Sequence, residues 1–244
     1  MLQQIGDGKG RRVLDLCCGT GGITDALSEW VGPTGSVVGA DIDREKLAHA
    51  RNWADKNKLL NVEFVEADAM RSGFTPRSFD LVHTRFAISV IRNGLAILDH
   101  MLTLVRPSGL VFIEEVNTHT MQCFPKTEDW DRALSLMKDA FRAVEANTEI
   151  GPSLRGVLLE KGLIDLKVKP CLHALTCADP MTMHLPLTLA AMSDTVASLD
   201  LMAKDDLRSL LTRVADHLAK PETMTISFTM LQVLGRTSAQ RFPR

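Results

Sequence analysis

Tyrosine is absent from the 244 residues, and aromatic residues of all kinds make up only 5%. Any mechanism for this chain therefore proceeds without a phenolic side chain. Cysteine is sparse: Cys17, Cys18, Cys123, Cys171 and Cys177 form an odd set with one adjacent pair and no C-x-x-C. That pattern argues against a disulfide framework and against a zinc site, and five reduced thiols are expected. Neither sign of charge is in excess, with 28 Lys+Arg against 30 Asp+Glu and a net charge of −2. Proteins that grip nucleic acid through its phosphates carry a basic surplus, so no nucleic-acid partner is expected. No apolar run approaches the ~20 residues of a membrane helix. The opening Met1-Leu2-Gln3-Gln4-Ile5-Gly6-Asp7 lacks the basic-then-apolar order of a leader. Repeats, low-complexity runs and flexible linkers are missing as well. The expectation is one soluble, cytoplasmic domain with no membrane partner.

What the chain does contain is an alternation of strand and helix signals. Val13-Leu14-Asp15-Leu16 is an apolar run that ends in the small-residue cluster Cys18-Gly19-Thr20-Gly21-Gly22. Ile23, Ala26, Leu27 and Trp30 follow at helical spacing until Gly32-Pro33. Ser36 to Ala40 reads as a second strand ending at Asp41, and Asp43 as the N-cap of a helix carrying Leu47, Ala50 and Ala54. Val62 to Val65 is a third strand ending near Asp68. Phe79 to His83 is a fourth, and Leu110 to Ile113 a fifth after the turn Pro107-Ser108-Gly109. Strands separated by helices of this length predict βαβ units and a doubly wound α/β sheet with helices on both faces.

The second half is more helical. Trp130, Leu134, Met137, Phe141 and Val144 make one amphipathic stripe. Gly162 to Val168 and Ile226 to Leu234 read as sixth and seventh strands. Between them lies an insertion of about 50 residues, opened by Asp179-Pro180 as N-cap and first helical residue. It carries Leu207, Leu210, Leu211, Val214, Ala215 and Leu218 at helical spacing.

A glycine-rich turn between a strand and a helix presents backbone N–H groups. Asp41 follows Gly21 at the spacing where nucleotide-binding folds place an acid on ribose hydroxyls. The pair, in a βαβ context, indicates an adenosine-containing ligand. The dinucleotide pattern G-x-G-x-x-G fails, because its third glycine falls on Thr24. Asp15, just before the turn, suits an ammonium group better than a pyrophosphate. Those details point to S-adenosylmethionine.

Val13-Leu14-Asp15-Leu16-Cys17-Cys18-Gly19-Thr20-Gly21-Gly22 resembles the first motif of class I S-adenosylmethionine-dependent methyltransferases. Val38-Gly39-Ala40-Asp41-Ile42-Asp43 and Glu66-Ala67-Asp68-Ala69-Met70 resemble the second and third. Phe79 to Phe86 and Leu104 to Leu110 resemble the signatures of the fourth and fifth strands. The stretch from Asp179 to Gly235-Arg236 is similar to the C-terminal part of small-molecule methyltransferases of the ubiquinone-biosynthesis-like type. The resemblance implies a seven-stranded Rossmann-like sheet of order 3-2-1-4-5-7-6, with strand 7 antiparallel. It divides residues 1–244, a single domain, into a cofactor-binding half (10–116) and a substrate-side half (117–244) with a helical insertion at about 176–222. It also implies site roles. Asp15, Gly19, Thr20 and Gly21 would border the methionine end, Asp41 the ribose and Ile42 the adenine. Asp68 would accept from the adenine amino group and the Ala69 N–H would face the ring. Thr84 and Arg85 would lie where the fourth strand approaches the sulfonium.

Two departures from the family pattern carry expectations. Cys17 stands at a glycine position, and since cysteine lacks glycine's freedom at positive φ, an ordinary backbone is expected there. About a dozen residues precede the first strand, so either the site is open or a lid comes from the insertion or from a partner subunit, and a homodimer is expected. Methyl transfer to an acidic nucleophile needs a base. His83 at the end of the fourth strand and His119 after the fifth are the candidates, with Glu114, Glu115 and Asn117 beside His119. His184 lies among Met181, Met183 and Leu185, which suit an apolar pocket. No metal is expected. His83 stands where metal-dependent catechol-type enzymes carry an Asp, and Thr84-Arg85-Phe86 replaces the motif of enzymes that methylate adenine or glutamine amino groups. A small organic acceptor, methylated on O, N or C in secondary-metabolite or quinone-like biosynthesis, is the expected reading. A cyclisation or isomerisation that uses the cofactor only as fixed charge is the alternative.

Overall fold

Parallel strands covered on both faces need near-continuous apolar runs, and the chain supplies them where its motifs lie. The computed structural model describes residues 5–239; residues 1–4, part of the opening read above for a leader, and residues 240–244 lie outside that range. The first half alternates β1 (Arg12–Leu16), α1 (Thr24–Val31), β2 (Ser36–Asp41), α2 (Arg44–Lys56), β3 (Val62–Glu66), β4 (Phe79–Arg85), α3 (Leu95–Leu104) and β5 (Val105–Asn117). The second half holds β6 (Gln122–Phe124), α4 (Glu128–Ala143), α5 (Leu154–Glu160), β7 (Ile164–Cys171) and β8 (Ala174–Thr176). It continues with α6 (His184–Ala191), α7 (Ser193–Ser198), α8 (Lys204–Leu218), β9 (Met224–Ile226) and β10 (Thr229–Arg236).

The main sheet is seven-stranded in the order β3-β2-β1-β4-β5-β10-β7. With β7 and β10 counted as its sixth and seventh strands, that is the expected order 3-2-1-4-5-7-6. β1 to β5 pair in parallel, and β10 runs antiparallel to both β5 and β7. Asp43 caps α2 as expected, accepting from the Glu45 and Lys46 N–H groups.

Several boundaries differ from the sequence reading, each for a physical reason. Pro107-Ser108-Gly109 does not precede β5 but bulges within it: Phe79 pairs with Val105 and Leu81 with Leu110. Ser108 takes a φ of 61° there, and a Cβ on Gly109 would stand 2.7 Å from Val105 Cγ2. β7 starts at Ile164 rather than Gly162 and forms a sheet edge, so its apolar residues Ile164 and Val168 face solvent. Lys167, Lys169 and Pro170 along it are the residues that discourage edge pairing. Ile226 belongs not to the last strand but to β9, in a separate three-stranded sheet of order β6-β9-β8. Asp179 does not cap an α-helix. Its Oδ2 accepts from the Thr176 N–H and hydroxyl, and Pro180–Met183 is a 3₁₀ turn ahead of α6.

The stripe on α4 turns inward through Trp130, Ala133, Met137 and Ala140, while Val144 lies beyond the helix and is exposed. Those residues do not pack on the main sheet. They join Leu185 and Leu189 of α6 and Leu207, Leu210 and Val214 of α8 in a core of their own. The helical cap is therefore α4 with the insertion, standing over the ends of β4, β5 and β10.

Leu210 is fully buried in that cap core, so Leu210→Ala is expected to destabilise by about 2–5 kcal/mol. Because the helices share one core, hydrogen exchange should accelerate together in α4, α6 and α8. Acceleration confined to α8 would show that they do not behave as one unit.

Candidate active site

The turn from Cys17 to Gly22 joins β1 to α1 and is bent by three left-handed residues. Gly19 and Gly21 have φ of 57° and 82°, and Cys17 has φ of 62°. The expectation of an ordinary backbone at Cys17 is thus overturned. A side chain in the left-handed region costs about 1–2 kcal/mol, and here the neighbouring backbone holds it. The Cys18 N–H donates to the Ala40 carbonyl at 3.0 Å, and the Gly21 N–H to the Cys18 carbonyl at 3.0 Å. Burial, followed by the nearby Asp41 and Asp15 charges, pushes the Cys17 thiol up to about 12. Burial raises Cys18 in the same direction. Both thiols are protonated and inert at neutral pH.

The acids of the second and third motifs stand at the carboxyl ends of neighbouring strands. Asp41 Oδ2 accepts from the Gly19 N–H at 2.8 Å, and Oδ1 from the Asp43 N–H at 3.0 Å. This ties the end of β2 to the turn. Ile42, the next residue, leaves 68% of its surface exposed. Asp68 is exposed beyond β3, with Oδ1 accepting from the Met70 N–H at 2.8 Å. Ala69 beside it is half-buried and Thr20 is exposed. At the end of β4 the Thr84 hydroxyl is committed to the Leu16 carbonyl at 2.8 Å. Arg85 is exposed, its guanidinium 5.6 Å from the Phe86 ring centre. A cleft of about 650 Å³ lies against the turn, lined by Thr20, Gly21, Asp25, His49 and Trp53 among others, and none of Asp41, Asp68 or Arg85 lines it.

Strand alternation builds a second feature beneath the turn. Val13, Leu81, Phe112 and Leu234 form an apolar layer on one face of the sheet. Two residues on in β1, β4 and β5, and two residues back in the antiparallel β10, the same face carries Asp15, His83, Glu114 and Gln232. His83 Nδ1 is 2.8 Å from Asp15 Oδ1, and its Nε2 is 3.2 Å from Glu114 Oε2. Gln232 Nε2 donates to Glu114 Oε1 at 2.6 Å, and the imidazole stacks on Phe112 at 5.6 Å. Burial alone would lower the His83 pKa, but the hydrogen bonds and charges of Asp15 and Glu114 carry it up to about 9. Burial would raise Glu114, and His83 holds it below its ordinary value.

Neither candidate base lines the cavities between the strand ends and the cap. His83 is fully buried with both ring nitrogens engaged. Asp15 is buried beneath it, its second oxygen 3.4 Å from the Thr24 hydroxyl. His119 lies on a 3₁₀ turn, exposed, with Nε2 at 2.8 Å from Glu149 and Nδ1 at 3.4 Å from Lys138 Nζ. The cavities lie elsewhere, between the strand ends and the cap. One of about 210 Å³ is lined by Phe86, Ser89, Thr118, Phe141, His184 and Phe228, among others. Another of about 390 Å³ lies against Arg85, Phe86, His173, Met181 and Phe228. The sequence reading placed His184 in an apolar pocket but missed Phe86 and Phe228, whose rings meet edge to face at 5.7 Å.

A family model described as a methyltransferase domain matches residues 7–162. The demethylmenaquinone methyltransferase of Staphylococcus aureus (strain JH9) is 36% identical over 124 residues, 51% of this chain and 51% of that protein. The chain spans about half the length of the curated relatives it matches. Among solved structures, a Bacillus halodurans C-125 protein shares the fold at a TM-score of 0.65 and 18% identity, over 97% of each chain. The 4+2 cyclase SpnF shares it at 0.59 and 15% identity, over 98% of this chain and 80% of its own.

The His83 bridge makes stability depend on pH. A group whose pKa is raised by folding stabilises fully below its unfolded value and loses that contribution as pH rises through its folded value. For His83 the window runs from 6.5 to about 9, worth roughly 3 kcal/mol at 1.4 kcal/mol per pKa unit. Denaturant unfolding is expected to show that loss across the window. His83→Gln should be less stable at its lower end and should lack the slope; an equal slope in the variant would assign the titration to another group.

Proposed function

The chain belongs to the methyltransferase-domain family, and from that premise we propose that it transfers a methyl group from S-adenosylmethionine to a small organic acceptor. The observation that carries the reading is Asp41. Two backbone N–H groups fix its carboxylate at the end of β2, one of them from the glycine-rich turn. Each oxygen keeps a further lone pair for ribose hydroxyls.

The residues present fit this cofactor better than a dinucleotide. Thr24 fills the third glycine position, is buried, and bonds to Asp15, which puts an acid below the start of α1 where a pyrophosphate would need only donors. A Cβ on Gly19 would meet nothing within 4 Å, so the turn has open space above it. Gly19, Thr20 and Gly21 with the Asp15 floor would border the methionine end, and Asp41 would hold the ribose. Exposed Ile42 would cover one face of the adenine, with Asp68 and the Ala69 N–H at its edge. Arg85 and the Thr84 backbone would stand near the sulfur. The bound cofactor supplies a methyl group on positively charged sulfur.

The chain's own contribution is positioning and exclusion of water. The β4 end and the cap put apolar cavities next to the cofactor edge, which suits a mainly apolar acceptor. The Staphylococcus aureus relative, named for demethylmenaquinone, supports an acceptor of quinone-like type. The second reading is a cyclisation or isomerisation around the same cofactor, and a 4+2 cyclase on the same fold supports keeping it. Fold does not choose between them. Formation of one S-adenosylhomocysteine per acceptor consumed is the outcome expected of methyl transfer, and conversion without it that of the second reading.

Asp41→Ala removes charge-assisted hydrogen bonds to the ribose, a net loss of about 1.5–3 kcal/mol. Calorimetry with S-adenosylhomocysteine is expected to show binding weakened roughly 10- to 100-fold. Unchanged affinity would remove Asp41 from the site.

A further inference from the structure

The cavities beside the cofactor edge contain a chemical asymmetry. Among the described residues no carboxylate lines either the 210 Å³ or the 390 Å³ cavity. An apolar cavity of about 150 Å³ already takes benzene, so both have room for a ring. A protonated amine entering them would meet no carboxylate in either wall, and an unpaired buried cation costs several kcal/mol. A neutral, largely apolar molecule enters without that penalty.

Within the smaller cavity one side chain can take a proton. His184 begins α6, and its ring meets Phe228 at 5.0 Å. Phe228 meets Phe86 in turn, and Phe86 follows Arg85 at the end of β4. Neither ring nitrogen of His184 has a hydrogen-bond partner among the described residues. His83, His100, His119 and His217 are all engaged, by Asp15 and Glu114, Ser72, Glu149 and the Pro125 carbonyl respectively. The charged or titratable groups nearest it across Phe228 are Arg85, His173 and Cys171 in the larger cavity. Burial lowers the His184 pKa, so the imidazole is neutral at pH 7 and keeps a lone pair. Ser89, fully buried, lines the same cavity, and behind it lies the buried carboxyl of Glu115, which burial holds above its ordinary pKa. An apolar chamber with a few convergent polar groups is the usual form of a small-molecule site.

We propose that His184 is the general base of this protein, and that its acceptor is a neutral apolar ring bearing a weakly acidic hydroxyl, seated against Phe86 and Phe228. This rests on the methyl-transfer reading above. The acceptor oxygen bonds to the methyl carbon as the carbon–sulfur bond breaks and its electron pair stays on sulfur. The hydroxyl proton passes to the free ring nitrogen of His184 and from there to water. Base catalysis of this kind contributes about 10²–10⁴-fold. His83 and His119 take no part in it.

The test uses two probes, 2-naphthol and 2-methoxynaphthalene, which differ in whether they can donate to His184. Each is titrated by fluorescence into protein saturated with S-adenosylhomocysteine, whose own binding is measured by calorimetry. Wild type is expected to bind the naphthol roughly tenfold more tightly than the ether, one hydrogen bond's worth. His184→Phe should lose the preference to within about twofold while binding S-adenosylhomocysteine normally. His184→Gln, which keeps an acceptor oxygen, should retain it. In wild type the preference should fade as pH falls below the ordinary histidine range and the imidazole protonates; in His184→Gln it should persist. Absence of any preference in wild type, or its survival in His184→Phe, overturns the proposal, as does failure of both probes to bind. If the Phe variant does not fold, the pH comparison between wild type and His184→Gln decides alone. S-adenosylhomocysteine binding without naphthol preference sinks this inference only, whereas no S-adenosylhomocysteine binding sinks the methyl-transfer reading and this inference with it.

Discussion

A histidine cation buried between two carboxylates is the constraint on which the centre of this molecule is organised. Asp15, His83 and Glu114 come from β1, β4 and β5, and Gln232 extends the chain of contacts to β10. Two carboxylates out of water without a partner would be costly, so the strands that carry them must be held at the register that brings His83 between them. That register fixes what stands beyond the strand ends. β1 leads directly into the glycine-rich turn, β4 into Arg85 and Phe86, and β10 begins one residue after Phe228. The turn that would hold the cofactor and the proposed acceptor chamber are thus both positioned by one polar layer, of which Asp15 alone would border the cofactor.

Much of this arrangement is legible in the sequence because local chemistry and long-range pairing agree. The apolar runs of β1 to β5, the cap at Asp43 and the acids at positions 41 and 68 each follow from nearby residues. The features that escape are those set by distant partners. The positive φ of Cys17 depends on hydrogen bonds to Ala40 and within the turn, and nothing about cysteine announces it. The buried role of His83 depends on residues 68 and 31 positions away. Its signal is present, though only in retrospect: Asp15, His83 and Glu114 each lie two residues beyond an apolar residue of the same face, so one alternation predicts one layer. Ile226 of β9 reads as part of β10 because the apolar residues are nearly continuous, and only pairing with β6 and β8 separates the two strands.

The site divides chemically along Arg85 and Phe86. On one side lie the backbone N–H groups and acids suited to an adenosine and an amino-acid end. On the other lie Phe86, Phe228, methionines and the imidazole of His184, whose ring nitrogens have no hydrogen-bond partner among the described residues. His119, attractive in sequence because it follows β5, is held at the surface by Glu149, and the cap supplies His184 instead. The cap has its own core, through α4, α6 and α8, and can keep that imidazole in place without drawing on the sheet.

Native mass spectrometry of the purified protein tests the central claim, cofactor binding at the turn between β1 and α1, most directly. The account predicts a mass increment matching S-adenosylmethionine or S-adenosylhomocysteine, either as purified or on addition, and its loss when Asp41 is replaced. A bare protein that takes up neither would contradict it.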